Sequence, residues 1–380
     1  MTIQYLINFI RQAYTEFCKL KLQNKLSDKT YVSINLDDLN YIDQRIINEI
    51  KTKFPHGEQH HIEFCGINVK IIIAGGNNIK RFLLFYTCFL IYLFKVHVGK
   101  ILDNISITFI CYEGKKHLPD DNSNLGPFEV NGGVTISMGT SAKIFVYRYE
   151  EIVKVLTHEM IHAFGLDAKT INENDEDFLN KYFNITCKSA TINESFTDSL
   201  ACLINAIMYT HFSLKKDIDD SIFIKRCWKN IQKERKHIIH QAQKVLSFNN
   251  YKKHNGVLYR EQPICETTHV TSYYVIKAIV YQNLTDFITL LSNTKMCIDI
   301  YNYIHIIKKN LPIFVHHIKL VNNPKREQLD SPKPKKHLPS QWNGGGAKTV
   351  QENLATPNYY NHKNLKMSSL DILELYNGLK

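Results

Sequence analysis

The sequence lacks an uninterrupted apolar run long enough to cross a lipid bilayer. Its most apolar stretch, residues 82–94, is flanked by charged residues and falls short of the roughly 18 residues that a spanning helix needs. We therefore predict a buried core helix there and no transmembrane segment. The chain also begins without the basic start and continuous apolar run of a signal peptide, which leads us to expect an intracellular protein.

The cysteines form no pattern that is typical of a disulfide framework or of a cysteine-based metal site. Their number is odd, and the nine residues are scattered through mostly apolar runs at positions 18, 65, 88, 111, 187, 202, 227, 265 and 297. None of them belongs to a C-x-x-C pair, which excludes the zinc site of nucleobase deaminases. We predict reduced thiols that are buried in a core.

Positive charge is in excess but is not concentrated in a recognisable binding motif. The formal net charge is +11, and no internal repeat or nucleic-acid-binding signature accompanies it. Residues 322–363 are rich in Pro, Lys, Asn and Gly and predict a basic disordered tail, followed by a short helix within 364–380. The tail is either a solvated linker or a docking segment for an acidic partner. The sequence does not indicate whether such a partner would be a nucleic acid, an anionic membrane or an acidic protein.

Periodicity divides the folded part of the chain into two lobes. Residues 1–55 predict polar-interrupted helices, and the pattern from 190 to 321 is predominantly helical. Strands are predicted where β-branched residues cluster, at 61–74, 105–111 and 144–147. We therefore predict an α+β fold with a mixed α/β lobe over 1–165 and a mainly helical lobe over 166–321.

The HEMIH segment at 158–162 is the strongest chemical signal in the sequence. Residues four apart project from one face of an α-helix, so its two imidazoles can bind one metal ion. Apolar residues recur around the motif at helical spacing, and Gly165 is a natural helix end. The pattern predicts a helix that carries His158 and His162 as metal ligands and Glu159 as general base.

A catalytic zinc site needs a third protein ligand, because its fourth position is kept for water. Glu194 is the best match, since it lies in a second helical segment and is followed by Asp198 one turn later. Asp198 can accept the outer N–H of His158, which would fix the tautomer of that ring. Asp167 is the alternative third ligand, although its closeness to Gly165 favours a role at the helix end.

The order HExxH followed by NExxxD resembles the gluzincin group of zinc metallopeptidases, which includes thermolysin and neprilysin. The resemblance implies a zincin-like fold with one Zn²⁺ per chain, held by His158, His162 and Glu194. It implies hydrolysis of a peptide or protein substrate, with Glu159 taking the proton of the attacking water and Asp198 supporting the first histidine.

The same resemblance implies a donor that stabilises the oxyanion and an edge strand that pairs with an extended substrate. The segment 267–274 offers His269, Tyr273 and Tyr274 as donors, although packing or a helix cap explains each of them as well. The glycine pair at 132–133 marks the predicted edge strand, with a tight turn between two strands as the alternative.

Several departures from known patterns leave the subfamily open. The spacing between His162 and Glu194 is longer than in thermolysin-like enzymes and shorter than in neprilysin-like ones. Ala168 stands where metzincins have their third histidine, and the GxMEN signature of related aminopeptidases is absent, so we expect an endopeptidase. The stretch 130–148 resembles uncharacterised metallopeptidase-like proteins of large DNA viruses. The alternative function is a catalytically inactive scaffold that binds a protein or nucleic-acid partner through its basic surface.

Overall fold

The protein combines a mixed β-sheet with a largely helical second half. The structure, a computed structural model, describes residues 3–20, 30–36, 42–120, 123–168, 173–187, 190–214, 218–320 and 363–373. Within these ranges the chain has both helices and a six-stranded sheet. The predicted presence of both helices and strands is confirmed, and the zincin-like assignment stays a prediction.

The sheet places one short strand at an edge next to the predicted metal-binding helix. Its strands are β1 (Thr30–Ser33), β2 (His56–Phe64), β3 (Ile67–Ala74), β4 (Asn104–Ile110), β5 (Gly133–Met138) and β6 (Ser141–Val146). Their order is β1-β2-β3-β4-β6-β5, with β3, β4 and β6 parallel and the other neighbours antiparallel. The central strands end in nearly continuous apolar runs because both faces of the sheet are covered there.

The predicted strands are confirmed, whereas the prediction for the first 55 residues is confirmed only in part. Strands β2 to β4 and β6 lie where β-branched residues cluster. Helices α1 (Ile3–Cys18) and α2 (Gln44–Lys53) form as expected, but β1 lies between them and pairs with β2. A strand of four residues is too short to produce a recognisable period in the sequence.

The most apolar stretch of the chain is a core helix, as predicted. It forms α3 (Lys80–Ile91) and continues into a π-helical turn, Tyr92–His97. Side chains on several faces of α3, including Leu83, Tyr86 and Phe89, are buried. In the described ranges no helix has the length and apolar character that a membrane span requires.

From residue 127 onward the described chain is mainly helical apart from β5 and β6, and this part shares its core with the residues before it. Its helices are α4 (Pro127–Val130), α5 (Ile152–Ala163), α6 (Glu173–Tyr182), α7 (Ile192–Ser213), α8 (Asp220–Phe248), α9 (Lys277–Gln282), α10 (Leu284–Asn293) and α11 (Ile300–His317). Short strands β7 (Ile185–Cys187), β8 (Lys252–His254), β9 (Val257–Tyr259) and β10 (Ile264–Glu266) interrupt them, and a second π-helical turn, Thr271–Ile276, precedes α9. Buried side chains of α1 and α3 belong to the same hydrophobic cluster as those of α7 and α10.

One pair of cysteines is bonded, which corrects the prediction that all nine are reduced. A disulfide joins Cys187 of β7 to Cys265 of β10, two strands that pair in parallel. The two cysteines are 78 residues apart in the sequence, so only the tertiary pairing reveals them as partners. Four of the other cysteines are buried, as predicted, and lie outside this disulfide: Cys88, Cys111, Cys202 and Cys227. The expected intracellular location stays a prediction.

The carboxyl-terminal segment 363–373 packs into the core. Leu365, Met367 and Leu370 are among its buried side chains. The predicted tail over 322–363 lies outside the described residues except for its last position.

The short helix predicted within 364–380 falls largely outside the described residues and stays a prediction, although residues 364–371 are not helical. Helical structure begins only at Ile372, and the positions after 373 lie outside the described residues. The backbone amides of Met367 and Ser368 donate to the carboxylate of Glu151. Because a side chain takes up these amide hydrogens, they are not available for a helical hydrogen-bond pattern.

Candidate metal centre

Helix α5 carries the HExxH motif and packs against β5, β6 and α7. It begins after Glu151, whose backbone is left-handed with a φ of 62°, and it ends before Gly165, whose φ is also 62°. Gly165 is thus the predicted helix stop, because glycine adopts this conformation without a steric penalty. The helix presents His158, Glu159 and His162 to a cleft.

Helix α7 brings Glu194 to the two histidines. Glu194 Oε2 lies 3.4 Å from Nε2 of His158 and 3.4 Å from Nε2 of His162. The two Nε2 atoms are 3.1 Å apart. The structure therefore brings together the three residues that the sequence predicts as ligands, with their ligand atoms within 4.8 Å of one another.

These three side chains fit a zinc ion in both geometry and chemistry. Tetrahedral bonds of about 2.0–2.1 Å place neighbouring ligand atoms about 3.3 Å apart, which matches the observed separations. Glu194 Oε2 is buried and has no hydrogen-bond partner among the described residues. Although burial opposes ionisation, the two histidines hold the pKa of Glu194 well below its usual value. A buried ionised oxygen beside two imidazole nitrogens is suited to a cation.

Each histidine is oriented by a carboxylate on its outer nitrogen. His158 Nδ1 donates to Asp198 Oδ1 at 3.1 Å, which is the contact predicted from the sequence. His162 Nδ1 donates to Asp167 Oδ2 at 2.7 Å, and Thr197 Oγ1 donates to the same oxygen at 3.1 Å. Because an ionised carboxylate only accepts, both rings carry a proton on Nδ1, which leaves Nε2 available to a metal.

Asp167 does not lie where a third ligand would have to be. Its carboxylate contacts the outer side of the His162 ring, whereas Glu194 contacts the inner side. The left-handed turn at Gly165 folds the chain back and lets Asp167 reach the end of α5. The helix-end position expected from the sequence is correct. The hydrogen bond to His162 is a further finding, since it depends on how the turn folds.

Two buried lysines share Asp198 with His158. Lys154 Nζ donates to Oδ1 of Asp198, and Lys277 Nζ donates to Oδ2. All three charged side chains are almost completely buried. Although burial opposes ionisation, the two ammonium groups hold the pKa of Asp198 well below its usual value. Lys154 precedes His158 by one helical turn, so the sequence weakly indicates that it lies near this site. No spacing in the sequence indicates that Lys277 contacts Asp198.

Glu159 lies beside the predicted ligands and is fixed against strand β5. Thr135 Oγ1 donates to Glu159 Oε2 at 2.8 Å. A Cβ atom on Gly133 would lie 2.7 Å from Glu159 Oε1, so the strand passes directly against this carboxylate. Burial raises the pKa of Glu159, and the nearby His158 and His162 oppose part of this increase. A raised pKa brings a carboxylate closer to the range of a general base at neutral pH.

Two of the three predicted oxyanion donors line the cleft. The ring centroid of Tyr273 is 5.9 Å from that of His158. Burial, together with the negative charge of Glu194, raises the pKa of Tyr273 well above its usual value. His269 lies on the same side, with its Nδ1 atom 3.4 Å from Thr191 Oγ1. Both side chains are close enough to the cleft to contact a bound molecule.

Tyr274, the third predicted donor, is not at the site. Its hydroxyl donates to the carbonyl of Leu365 at 2.7 Å, inside the core. Tyr273 and Tyr274 are neighbours on the π-helical turn Thr271–Ile276 and point in different directions. The sequence does not show which of two adjacent tyrosines faces a cleft, because the turn does not have the period of an α-helix.

The cleft beside Glu159 has a volume of about 410 Å³. Val134, Thr135 and Ser137 of β5 form one wall, and Thr268 and His269 contribute to the other. In the described sheet β5 pairs only with β6, so its outer edge has no strand beside it. The edge strand predicted from the glycine pair is therefore confirmed, and its role in substrate binding stays a prediction.

The carboxyl-terminal segment 363–373 contributes to the structure behind His158. Met367 lines a small cavity of about 30 Å³ next to this histidine. The amide of Met367 donates to Glu151 Oε2 at 3.0 Å, and Lys116 Nζ donates to the same atom at 3.2 Å. Because Glu151 immediately precedes α5, segment 363–373 is hydrogen-bonded to the start of the helix that carries the motif.

Comparisons with known proteins do not place this chain in a family. No family model matches it, and no solved structure matches it. The chain is 28% identical over 135 residues to the uncharacterized protein R210 of Acanthamoeba polyphaga mimivirus. This similarity covers 34% of the chain and 32% of the viral protein, so the chain spans about a third of the length of that relative. The comparison thus provides a relative in a large DNA virus but no activity.

Proposed function

We propose that this protein is a zinc-dependent peptidase that hydrolyses internal peptide bonds. The observation that carries the proposal is the convergence of His158, His162 and Glu194 at separations suited to one Zn²⁺, with Glu159 beside them. Two imidazoles and a carboxylate are a donor set of catalytic zinc sites, which keep one position open. The carboxylates on the outer nitrogens support this reading, because ligating histidines are commonly oriented in this way.

The unpaired edge of β5 is suited to hold an extended peptide substrate. A peptide that adds to the edge of a sheet gains main-chain hydrogen bonds, and these do not depend on its sequence. Thr135, which contacts Glu159, belongs to this strand. A peptide paired with β5 would therefore pass directly beside the general base. This arrangement requires no free amino terminus, which is consistent with an endopeptidase.

The residues around Glu159 can carry out the proton transfers of peptide hydrolysis. Bound zinc would polarise the scissile carbonyl and make water a better nucleophile. Glu159 accepts a proton from the attacking water and later delivers it to the leaving amine, while Thr135 keeps its carboxylate oriented. Like any tyrosine, Tyr273 is protonated at neutral pH, and its pKa is raised further, so its hydroxyl can donate to the oxyanion. His269 is the second donor on that side of the cleft.

Metal analysis provides the direct test of the proposed ligands. The purified protein is expected to contain about one zinc per chain, and the double variant His158→Ala, His162→Ala is expected to lose it, because a carboxylate alone does not retain zinc. Elemental analysis after gel filtration measures the ratio. The control is His316→Ala, His317→Ala, which removes an adjacent pair of exposed histidines at the end of α11. Equal zinc in the two double variants would rule out the proposed site.

Gly133→Ala tests whether strand β5 positions the general base. The added Cβ would lie 2.7 Å from Glu159 Oε1 and 2.8 Å from Val155 Cγ1, so the carboxylate has to move. A displacement of this kind is expected to lower the rate of peptide cleavage by about 10–100-fold without loss of zinc. Met138→Ala, at the exposed far end of the same strand and outside the lining of this cleft, is the control and should cleave at nearly the wild-type rate. Wild-type activity in Gly133→Ala would show that this contact does not position Glu159.

A further inference from the structure

Helix α8 carries a group of basic side chains on its exposed side, and none of them belongs to the candidate metal centre. Its buried side includes Phe223, Cys227, Ile231 and Ile238, which anchor the helix in the core. The opposite side carries five exposed cations, which we call the basic face: Lys225, Arg226, Lys229, Lys233 and Lys236.

The five cations form a narrow line of charge along the helix. At 3.6 residues per turn they fall within an arc of about 100°, and at 1.5 Å per residue they extend over about 16 Å. Between positions 221 and 244 the only acidic residue is Glu234. Glu234 is buried and accepts hydrogen bonds from Ser369, so it does not neutralise the basic face.

Most of the charges on this face are not balanced by neighbouring acids. Of the ion pairs formed by residues that the structure describes, none involves Lys225, Arg226, Lys229 or Lys236. Like charges four residues apart repel each other on a helix, as Lys225 and Lys229 must do here. An anionic partner would relieve this repulsion. A line of charge of this shape is best matched by a linear polyanion.

We propose that the basic face of α8 binds the backbone of single-stranded nucleic acid. Lys225 and Lys229 are about 6 Å apart along the helix axis, so successive side chains can follow a chain of phosphates. Trp228 is 37% exposed on the flank of this line, where its indole can stack on a base. An anionic membrane fits less well, because the apolar side of α8 is buried in the core and cannot enter a bilayer.

Binding of a labelled thymidine oligonucleotide of about 20 nucleotides tests this proposal. Fluorescence anisotropy would be measured between about 50 and 200 mM salt, where phosphate contacts make affinity fall steeply with ionic strength. In the triple variant Lys225→Gln, Lys229→Gln, Lys236→Gln, the slope of log affinity against log salt should become shallower by about 2. Trp228→Ala should weaken binding by about tenfold with little change in slope.

The matched control removes three positive charges from other exposed positions, Lys19→Gln, Lys51→Gln, Lys319→Gln. It should keep the wild-type slope, and zinc content should be unchanged in both triple variants. An equal loss of oligonucleotide affinity in the two triple variants would show that only the net charge of the protein determines binding, and it would overturn the proposal. It would also be overturned if vesicles with anionic lipid, and not the oligonucleotide, bound wild type and lost binding in the α8 variant. Neither result depends on whether the protein cleaves peptides.

Discussion

Glu159→Gln is expected to lower peptide cleavage by at least about 100-fold while zinc remains bound. Glutamine preserves the size of the side chain and can still accept the hydrogen bond from Thr135 Oγ1. It cannot accept a proton at neutral pH, so the attacking water loses its base. Because Glu159 is not one of the three proposed ligands, the metal content and the thermal unfolding midpoint of this variant should stay near the wild-type values. Cleavage of an unbiased peptide library, zinc content and thermal unfolding are the measurements.

The control for this variant is Glu63→Gln, which neutralises an exposed carboxylate on β2. It should cleave peptides at the wild-type rate. Two outcomes would contradict the peptidase proposal: no cleavage of any library peptide by zinc-loaded wild type, or equal cleavage by wild type and Glu159→Gln. Either outcome would favour the inactive scaffold as the function of this fold. Loss of zinc in Glu159→Gln would instead show that this carboxylate takes part in metal binding.

The parts of the site that the sequence predicts are those set by local helical geometry. His158 and His162 lie on one face of α5 because they are four residues apart, and the turn at Gly165 ends that helix. Glu194 and Asp198 have the same spacing on α7. Their approach to α5 is a tertiary contact, which the need for a third ligand and the resemblance to the gluzincins suggested but which local helical geometry does not determine. The strands were predictable for the same local reason, since β-branched runs mark buried strands.

The features that the sequence does not reveal depend on contacts between distant segments. Lys277 reaches Asp198 from the first position of α9, and Cys187 meets Cys265 through the pairing of β7 with β10. The docking of 363–373 depends on Glu151, whose carboxylate binds two backbone amides of that segment. None of these pairs has a spacing that a periodic pattern could detect.

Asp198→Ala is expected to reduce the free energy of unfolding by about 3–5 kcal/mol. The variant leaves the ammonium groups of Lys154 and Lys277 buried without their shared carboxylate. Removal of one partner from a buried ionic cluster is costly because the remaining charge has neither water nor a counterion. Urea unfolding, followed by circular dichroism on metal-free protein, measures the change.

Acidification should diminish the difference in the free energy of unfolding between wild type and Asp198→Ala. The pKa of Asp198 is lower in the folded protein than in the unfolded chain, where it is about 3.9. A group of this kind stabilises the folded state above its unfolded pKa, and the contribution is lost as the pH falls through the folded value. The stability gap should therefore be fully present above about pH 5 and should narrow at lower pH.

A variant that lacks both lysines and the aspartate distinguishes two roles of Asp198: its contribution to folding stability and its support of His158 as a metal ligand. In the triple variant Lys154→Met, Lys277→Met, Asp198→Ala no buried charge of the cluster is left unpaired, so most of the lost stability should return. His158 still lacks the acceptor for its Nδ1 proton, so zinc affinity should stay about 10–100-fold below wild type. A triple variant as unstable as Asp198→Ala would show that the unpaired lysines are not the cause of the destabilisation. Zinc affinity restored to the wild-type value would show that Asp198 does not support His158 as a ligand.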